Sequence, residues 1–121
     1  MAMTESVPTR SPSLDHGTNP DRVRLESASD IFRMLADPTR LHLLWILSHD
    51  PSDVSTLTEA TGASRTAVSQ HLAKLRFTGM VETTRDGRRV VYRIVDGHLA
   101  RLVREGFNYA DHRVTGEPPH R

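Results

Sequence analysis

The sequence predicts a mainly α-helical domain that carries one β-hairpin, arranged as a winged helix-turn-helix. Val68, Leu72 and Leu75 recur at helical spacing, so one face of their helix should pack inward. Two strand-like runs follow on either side of Asp86-Gly87, a dipeptide that is favoured in tight hairpin turns. A short helix that ends at Gly62 precedes this unit. Two helices joined by such a short turn form a helix-turn-helix.

Basic residues are concentrated in the same helix and hairpin. Residues 64–93 contain seven Arg or Lys and two acidic residues, a net charge of +5, whereas the whole chain carries +1. This pattern is typical of proteins that bind duplex DNA, with the helix N-terminus in the major groove and the hairpin on the flanking backbone or minor groove. An ordinary solvated hairpin is the alternative. The predicted DNA contacts are Ser64, Arg65, Thr66, Ser69 and Gln70 on the helix and Arg85, Arg88 and Arg89 on the hairpin.

Length and composition limit the classes of protein to be considered. The chain has 121 residues, which suits one small domain, and it has no Cys, which excludes disulfides and thiolate metal sites. No apolar run approaches the roughly 20 residues of a membrane span. The N-terminus lacks the order of a secretion signal, so we expect a cytoplasmic protein without a membrane partner. No catalytic constellation is evident, so we expect neither an enzyme nor a small organic substrate.

Periodicity and capping residues predict five helices. The second helix is apolar nearly all round, which is typical of a central core helix, and Pro38 stands near its first position. Thr56 with Glu59 resembles a capping box for the third helix, and Asp96 can cap the fifth. The predicted segments are a disordered arm (1–20), a first helix (21–35), a second helix starting at Asp37-Pro38, a loop (49–53), a third helix ending at Gly62, a fourth helix (64–77), a hairpin (81–94), a fifth helix (97–112) and a flexible tail (113–121), with the DNA-binding and dimerisation domain over 21–112.

Several separated motifs resemble the ArsR/SmtB family of bacterial metal-responsive repressors. In chain order they are Leu35-Ala36-Asp37-Pro38-Thr39-Arg40-Leu41, Val68-Ser69-Gln70-His71-Leu72-Ala73-Lys74-Leu75, Gly79-Met80-Val81, and Asp86-Gly87-Arg88 with Val91-Tyr92. The resemblance covers about Ser27 to His112. It implies a homodimer through the first and last helices that binds operator DNA without effector and is released by the effector, and it suggests a metal exporter as the regulated gene.

The resemblance also implies a metal site on the last helix. The family pattern is an Asp, a His two residues on, a His eleven residues later and a His or Glu three further on; Asp96, His98 and His112 match it, whereas Tyr109 departs from it. The nickel/cobalt sensors similar to KmtR and NmtR add an acid-His pair at the helix end and a His in the tail. The implied ligands are Asp96, His98, Asp111, His112 and His120. Imidazole and carboxylate ligands suit Ni(II) or Co(II), which we favour, with Zn(II) as the alternative.

Helix geometry predicts that the metal site lies between two copies of the chain. His98 and His112 share a stripe of the last helix, but fourteen residues separate them by about 21 Å along the axis. Metal–ligand bonds measure only about 2 Å. If two last helices pack antiparallel across a two-fold axis, His98 of one copy meets His112 of the other, and two equivalent sites result. The apolar face expected to support this packing contains Leu99, Leu102, Val103, Gly106 and Ala110.

The sequence also allows roles without a metal for the predicted ligands. Asp96 could serve only as a helix cap, and His98 and His112 only as polar residues of an interface. Glu105 is either a further ligand or the ion-pair partner of Arg101. Two other functions share the predicted fold: a metal-independent regulator of the same family, which the departure at Tyr109 favours, and a winged-helix protein-interaction module, which the basic residues disfavour.

Overall fold

The computed structural model describes residues 19–116 as two units, one ending at Met34 and one beginning at Leu35. Most of the predicted arm, the end of the predicted tail and His120 lie outside the described residues. The first unit contains helix α1 (Arg22–Leu35) up to Met34, and the range of this helix agrees with the prediction. None of its side chains is buried, and Val23 and Phe32 are among its exposed apolar residues. In the described part of the chain, no helix is both long and apolar enough to cross a membrane.

The second unit confirms the predicted helix-turn-helix and hairpin and adds one short strand. Its elements are α2 (Pro38–Leu47), β1 (Ser52–Asp53), α3 (Val54–Thr61), α4 (Arg65–Phe77), β2 (Val81–Asp86), β3 (Arg89–Ile94) and α5 (Gly97–Thr115). The strands form one antiparallel sheet in the order β1-β3-β2. Below, α4 is called the recognition helix and the β2–β3 hairpin the wing.

The core of the second unit lies on α2, as its apolar sequence predicts. Leu43 and Leu44 of α2 are fully buried, and Leu57 of α3 and Leu72 of α4 are buried with them. Val103 of α5 is 1% exposed and belongs to the same core. Burial of a Leu side chain stabilises a fold by about 1.5–3 kcal/mol. This shared core therefore holds the recognition helix and α5 on one scaffold.

The predicted start of the third helix is wrong. The N-cap of α3 is Asp53, whose carboxylate accepts a hydrogen bond of 2.8 Å from the backbone N–H of Thr56. Thr56 is therefore the third residue of the helix, not its cap. The supposed loop before α3 also contains β1, in which Ser52 pairs with Tyr92 and Asp53 with Val91. Two residues are too short a strand to show a period-2 pattern.

The tight turn of the wing lies one residue later than predicted. Asp86 pairs with Arg89, so the two loop residues are Gly87 and Arg88. Gly87 has φ of +64°, and no described residue other than Gly has positive φ. Positive φ at only the first loop position is the type II′ pattern, whereas an Asp-Gly loop of type I′ needs it at both positions. Asp86 is therefore part of the strand ladder, and Arg88 stands at the tip.

Candidate functional site

The turn between α3 and the recognition helix is built by two local devices. Gly62 ends α3 with φ of +73°, a conformation that favours glycine, and its N–H donates to the carbonyl of Thr58. Ser64 then caps the recognition helix, because its hydroxyl accepts a hydrogen bond of 3.0 Å from the backbone N–H of Ala67. The first residue of that helix, Arg65, donates a 3.0 Å hydrogen bond to the hydroxyl of Ser55. The two helices of the motif are therefore fixed relative to each other.

The recognition helix separates apolar and polar faces as the sequence predicts. Val68, Leu72 and Leu75 are fully buried. The predicted DNA contacts on this helix, Thr66, Ser69 and Gln70, are exposed together with Arg65. Gln and Arg side chains on such a face can make paired hydrogen bonds to adenine and guanine, respectively. The hydroxyl of Ser64 is already engaged as the cap.

The three predicted wing arginines differ in their surroundings. Arg85 and Arg88 are exposed, and neither forms an ion pair with an acidic residue among residues 19–116. Arg89 instead donates from Nε to Oδ2 of Asp53 at 2.9 Å, and its Nη1 lies 3.7 Å from Asp86. The pKa of the Asp53 carboxyl is well below its usual range, chiefly because the backbone N–H of Thr56 donates to it, and Arg89 adds to the shift. Asp53 therefore stays ionised and holds Arg89.

A groove of about 510 Å³ lies between the start of α3, the recognition helix and the wing. Four of its side chains are guanidinium groups and one is a carboxylate. We call it the arginine groove, and its lining residues are Asp53, Val54, Ser55, Arg65, Arg76, Arg88, Arg89, Val90 and Tyr92. Sequence reasoning missed Arg76. The available signal is its spacing, because Arg76 follows Arg65 by eleven residues, or three helical turns, and therefore shares its face.

At the start of α5, two of the predicted metal ligands lie together. Oδ1 of Asp96 accepts a 2.6 Å hydrogen bond from the backbone N–H of His98 and lies 3.0 Å from Nδ1 of the same residue. That backbone hydrogen bond is the main reason why the pKa of Asp96 is lowered. Two donor atoms at this separation can share one ion, because bonds of about 2 Å in a tetrahedral set place donors roughly 3.3 Å apart. Asp96 is thus a cap, and the pair can also supply half of a metal site.

The other predicted ligands lie at the far end of the same helix or beyond it. Asp111 is exposed and His112 is half-buried, whereas His98 is 87% exposed. Among residues 19–116, no group of three or more His, Cys, Asp or Glu side chains could hold a metal within one chain. The structure therefore brings Asp96 and His98 together and does not bring them to Asp111 or His112.

The face of α5 that is predicted to support packing between two copies is partly internal to one chain. Val103 lies in the core of its own chain, and the ring of Phe107 is 4.6 Å from that of Trp45 on α2. Arg104 donates a 2.6 Å hydrogen bond from Nη1 to the carbonyl oxygen of Ser48. This inner stripe follows the helical period of 3–4 residues. The prediction that Val103 lies on the dimer face is therefore wrong.

Towards its C-terminal half, α5 also presents small and aromatic residues to solvent. Gly106 and Ala110 are exposed and Tyr109 is 62% exposed. The ion pair considered for Glu105 and Arg101 is not among those formed by the described residues. Arg101 instead contributes to the lowered pKa of Asp96 at the start of the helix. Glu105 is therefore an exposed carboxylate on the same helix as His98.

A helix-turn-helix with a basic wing defines the winged-helix class of DNA-binding proteins. Solved structures of this class resemble the chain closely. The antimony-specific transcriptional repressor AntR superposes with a TM-score of 0.74 at 27% identity, covering 90% of this chain and 99% of that one. The homodimeric winged helix-turn-helix DNA-binding domain Mb0332 from Mycobacterium bovis, described as a possible ArsR-family regulator, has a TM-score of 0.70 at 30% identity over 87% and 99% of the two chains.

Sequence comparison assigns the family. Residues 37–83 match the model of the bacterial regulatory protein family arsR. The transcriptional regulator KmtR from Mycobacterium tuberculosis is 43% identical over 91 residues, which are 75% of this chain and 70% of that protein. NmtR from the same organism is 41% identical over 68% of each chain. The chain belongs to the ArsR family of bacterial regulators, which confirms the resemblance seen in the motifs. It is accordingly a DNA-binding transcriptional regulator and not an enzyme.

Proposed function

We propose that this regulator is a metal-sensing repressor. It binds operator DNA as a metal-free homodimer and is released when Ni(II) or Co(II), or alternatively Zn(II), binds between the last helices of the two copies. The observation that carries the proposal is the placement of two donor pairs at opposite ends of α5: Asp96 with His98 at its start and Asp111 with His112 near its end. Imidazole nitrogen and carboxylate oxygen are the donors that these ions accept.

An antiparallel pairing of α5 helices completes the site. Leu102, Gly106 and Ala110 follow one another at intervals of four residues and therefore lie on one stripe of α5. Gly106 and Ala110 are exposed, and Leu102 is half-buried. Small side chains let two helices approach closely, and a two-fold axis perpendicular to them makes the helices antiparallel. The start of one α5 helix meets the end of the other, so that each site takes His98 from one copy and His112 from the other. Helix α1 carries exposed apolar residues of its own, including Phe32, and it is proposed as a second helix of the dimer interface.

The bound ion supplies a link between two helices of different chains. His98 and His112 would hold it, with Asp96 and Asp111 as carboxylate donors; His120 lies outside the described residues and is proposed as an additional ligand. Linking the α5 helices favours a dimer shape in which the recognition helices no longer match successive major grooves. By linkage, DNA then weakens metal binding by the same factor.

Helix α2 provides a mechanical connection from α5 to the recognition helix. At the C-terminal end of α2, the carbonyl of Ser48 accepts a hydrogen bond from Arg104 of α5, and the ring of Trp45 contacts that of Phe107 on α5. At its N-terminal end, the cap Asp37 lies 3.6 Å from Nε2 of His71 on the recognition helix. A shift of α5 is therefore transmitted to α2 and from there to α4. The proposed target is a metal efflux gene, and a repressor of such a gene acts in the cytoplasm.

A metal panel tests this proposal. Fluorescence anisotropy would follow the protein on a labelled duplex from its own promoter region, titrated with Ni(II), Co(II) and Zn(II). We expect at least one of these ions to weaken binding by about 5- to 150-fold, the usual range of allosteric coupling. DNA binding that no ion changes would contradict the sensor function and favour the metal-independent regulator. Binding that does not weaken with added salt would favour the protein-interaction module, because phosphate contacts release counterions.

Replacing Asp96 with Asn separates its capping role from its proposed role as a ligand. Asn caps helices about as well as Asp, so the free energy of unfolding should change by less than about 1 kcal/mol. The loss of a charged donor should weaken Ni(II) binding by ~10-fold or more, since even the outer partners of metal ligands contribute 10- to 100-fold. Isothermal titration with Ni(II), with Asp50→Asn as an exposed control, measures this. Unchanged Ni(II) affinity in Asp96→Asn would show that Asp96 is only a cap.

A further inference from the structure

We propose that the arginine groove holds the phosphate backbone of duplex DNA, and that its arginines divide into two kinds. Arg65, Arg76 and Arg88 contact phosphates, whereas Arg89 is bound to Asp53 and so links strand β3 to the start of α3; we call this link the strut. The inference rests on the proposed DNA binding. It adds a contact at Arg76, which the helix-turn-helix pattern does not contain, and it removes Arg89 from the set of predicted phosphate contacts.

The charge of the groove favours a phosphate ligand. The groove contains four guanidinium groups and one carboxylate, and that carboxylate, Asp53, is already paired with Arg89. The three other guanidinium groups, on Arg65, Arg76 and Arg88, form no ion pair with a carboxylate in the described residues 19–116. Guanidinium forks match phosphate oxygens with paired hydrogen bonds. A groove with an excess of such groups fits a polyanion.

The groove also lies next to the two elements that are predicted to contact DNA. It is bounded by the recognition helix on one side and by the wing on the other. If the helix enters the major groove and the wing tip reaches the flanking DNA, the strand between them must pass through this groove. Arg65 and Arg76 are about 16 Å apart along the helix axis, so they contact different phosphates. Arg88, at the tip of the turn, faces the same strand from the wing.

Arg89 is held by a carboxylate that also caps α3. Asp53 accepts from the backbone N–H of Thr56 through Oδ1 at 2.8 Å and from Arg89 through Oδ2 at 2.9 Å. One carboxylate therefore ties the start of α3 to strand β3, next to the ladder pair of Asp53 with Val91. The side chains of Asp53 and Arg89 are 21% and 54% exposed, so the carboxylate is partly shielded while the guanidinium group is screened by solvent on one side. Because Asp53 already neutralises Arg89, this arginine should not neutralise a phosphate and should release no counterion from the DNA.

Salt dependence of DNA binding distinguishes a phosphate contact from a strut. The probe is a labelled 30-base-pair duplex of random sequence, since phosphate contacts are independent of sequence, and affinity is measured between about 50 and 200 mM KCl. The variants are Arg76→Ala, Arg88→Ala and Arg89→Ala. Arg93→Ala is the control, because Arg93 is exposed on the same strand as Arg89, outside the groove, and its removal changes the net charge equally. Circular dichroism confirms that each variant is folded.

The expected salt dependence of DNA binding differs between Arg88 and its neighbour Arg89. Arg76→Ala and Arg88→Ala should each reduce the slope of log K against log salt by about 0.9 per protomer, which is about 1.8 for a dimer. Arg89→Ala and Arg93→Ala should keep the wild-type slope. In Asp53→Asn, which keeps a capping side chain, Arg89 is released and the slope should become steeper by about 0.9 per protomer.

Three outcomes would overturn the inference. If Arg76→Ala behaves like Arg93→Ala, the groove does not hold the backbone. If Arg89→Ala lowers the slope as much as Arg88→Ala, or if Asp53→Asn leaves the slope unchanged, Asp53 does not withhold Arg89 from DNA. A wild-type protein that binds no duplex at all would instead contradict the proposed function, so the two failures are distinguishable.

Discussion

Replacing either His98 or His112 with Ala is expected to abolish the release of DNA by metal while leaving metal-free DNA binding unchanged. Each proposed site needs both imidazoles, and either substitution removes one from both sites of the dimer. The two residues lie on α5, whereas the predicted DNA contacts lie on α4 and the wing. Anisotropy with and without Ni(II) should show a weakening of about 5- to 150-fold for the wild-type protein and none for either variant.

The matched control is His42→Ala, because His42 is half-buried on α2 and belongs to no predicted ligand set. This variant should respond to Ni(II) as the wild-type protein does. A full response in both His98→Ala and His112→Ala would place the sensing site elsewhere in the chain and would contradict the proposed ligands.

Leu72→Ala should destabilise the domain by about 2–5 kcal/mol, the range for removing a buried Leu side chain. Leu72 is 0% exposed and lies on the recognition helix against the core. Domains of this size are stable by about 5–15 kcal/mol, so the substitution removes a large share of the total. Urea unfolding followed by circular dichroism measures the change in the free energy of unfolding.

Phe77→Ala is the matched control on the same helix. Phe77 has the larger side chain, but it is 92% exposed, so its removal should change the free energy of unfolding by less than about 0.5 kcal/mol. An equal loss of stability in the two variants would mean that the assigned inner face of the recognition helix is wrong.

The sequence predicted those features that depend on local pattern. Val68, Leu72 and Leu75 show the period of a helix with one buried face, and the structure buries all three. Ser64 and Asp96 are favoured capping residues, and both cap the helices that follow them. Asp96 and His98 also meet as expected, because residues two apart at a helix start are brought together by the cap itself.

The sequence could not predict features that depend on tertiary contact. Strand β1 is defined only by its pairing with β3, and Asp53 holds Arg89 across 36 residues of chain. From the sequence, Val103 and Leu102 are equally good candidates for the dimer face, because α5 carries apolar residues on more than one side. Only packing against α2 shows which side is internal. Periodicity reports that a face is apolar and does not report which surface covers it.

The most direct test of the shared metal site is complementation between two inactive chains. The variants His98→Ala and His112→Ala would be given different affinity tags, co-expressed and purified through both tags, so that only mixed dimers remain. In such a dimer, one site combines the intact His98 of one chain with the intact His112 of the other, and the second site has neither. We predict one tightly bound Ni(II) per mixed dimer and none in either parent homodimer. A mixed dimer that binds no Ni(II), beside a wild-type dimer that binds two, would contradict a site built from both chains.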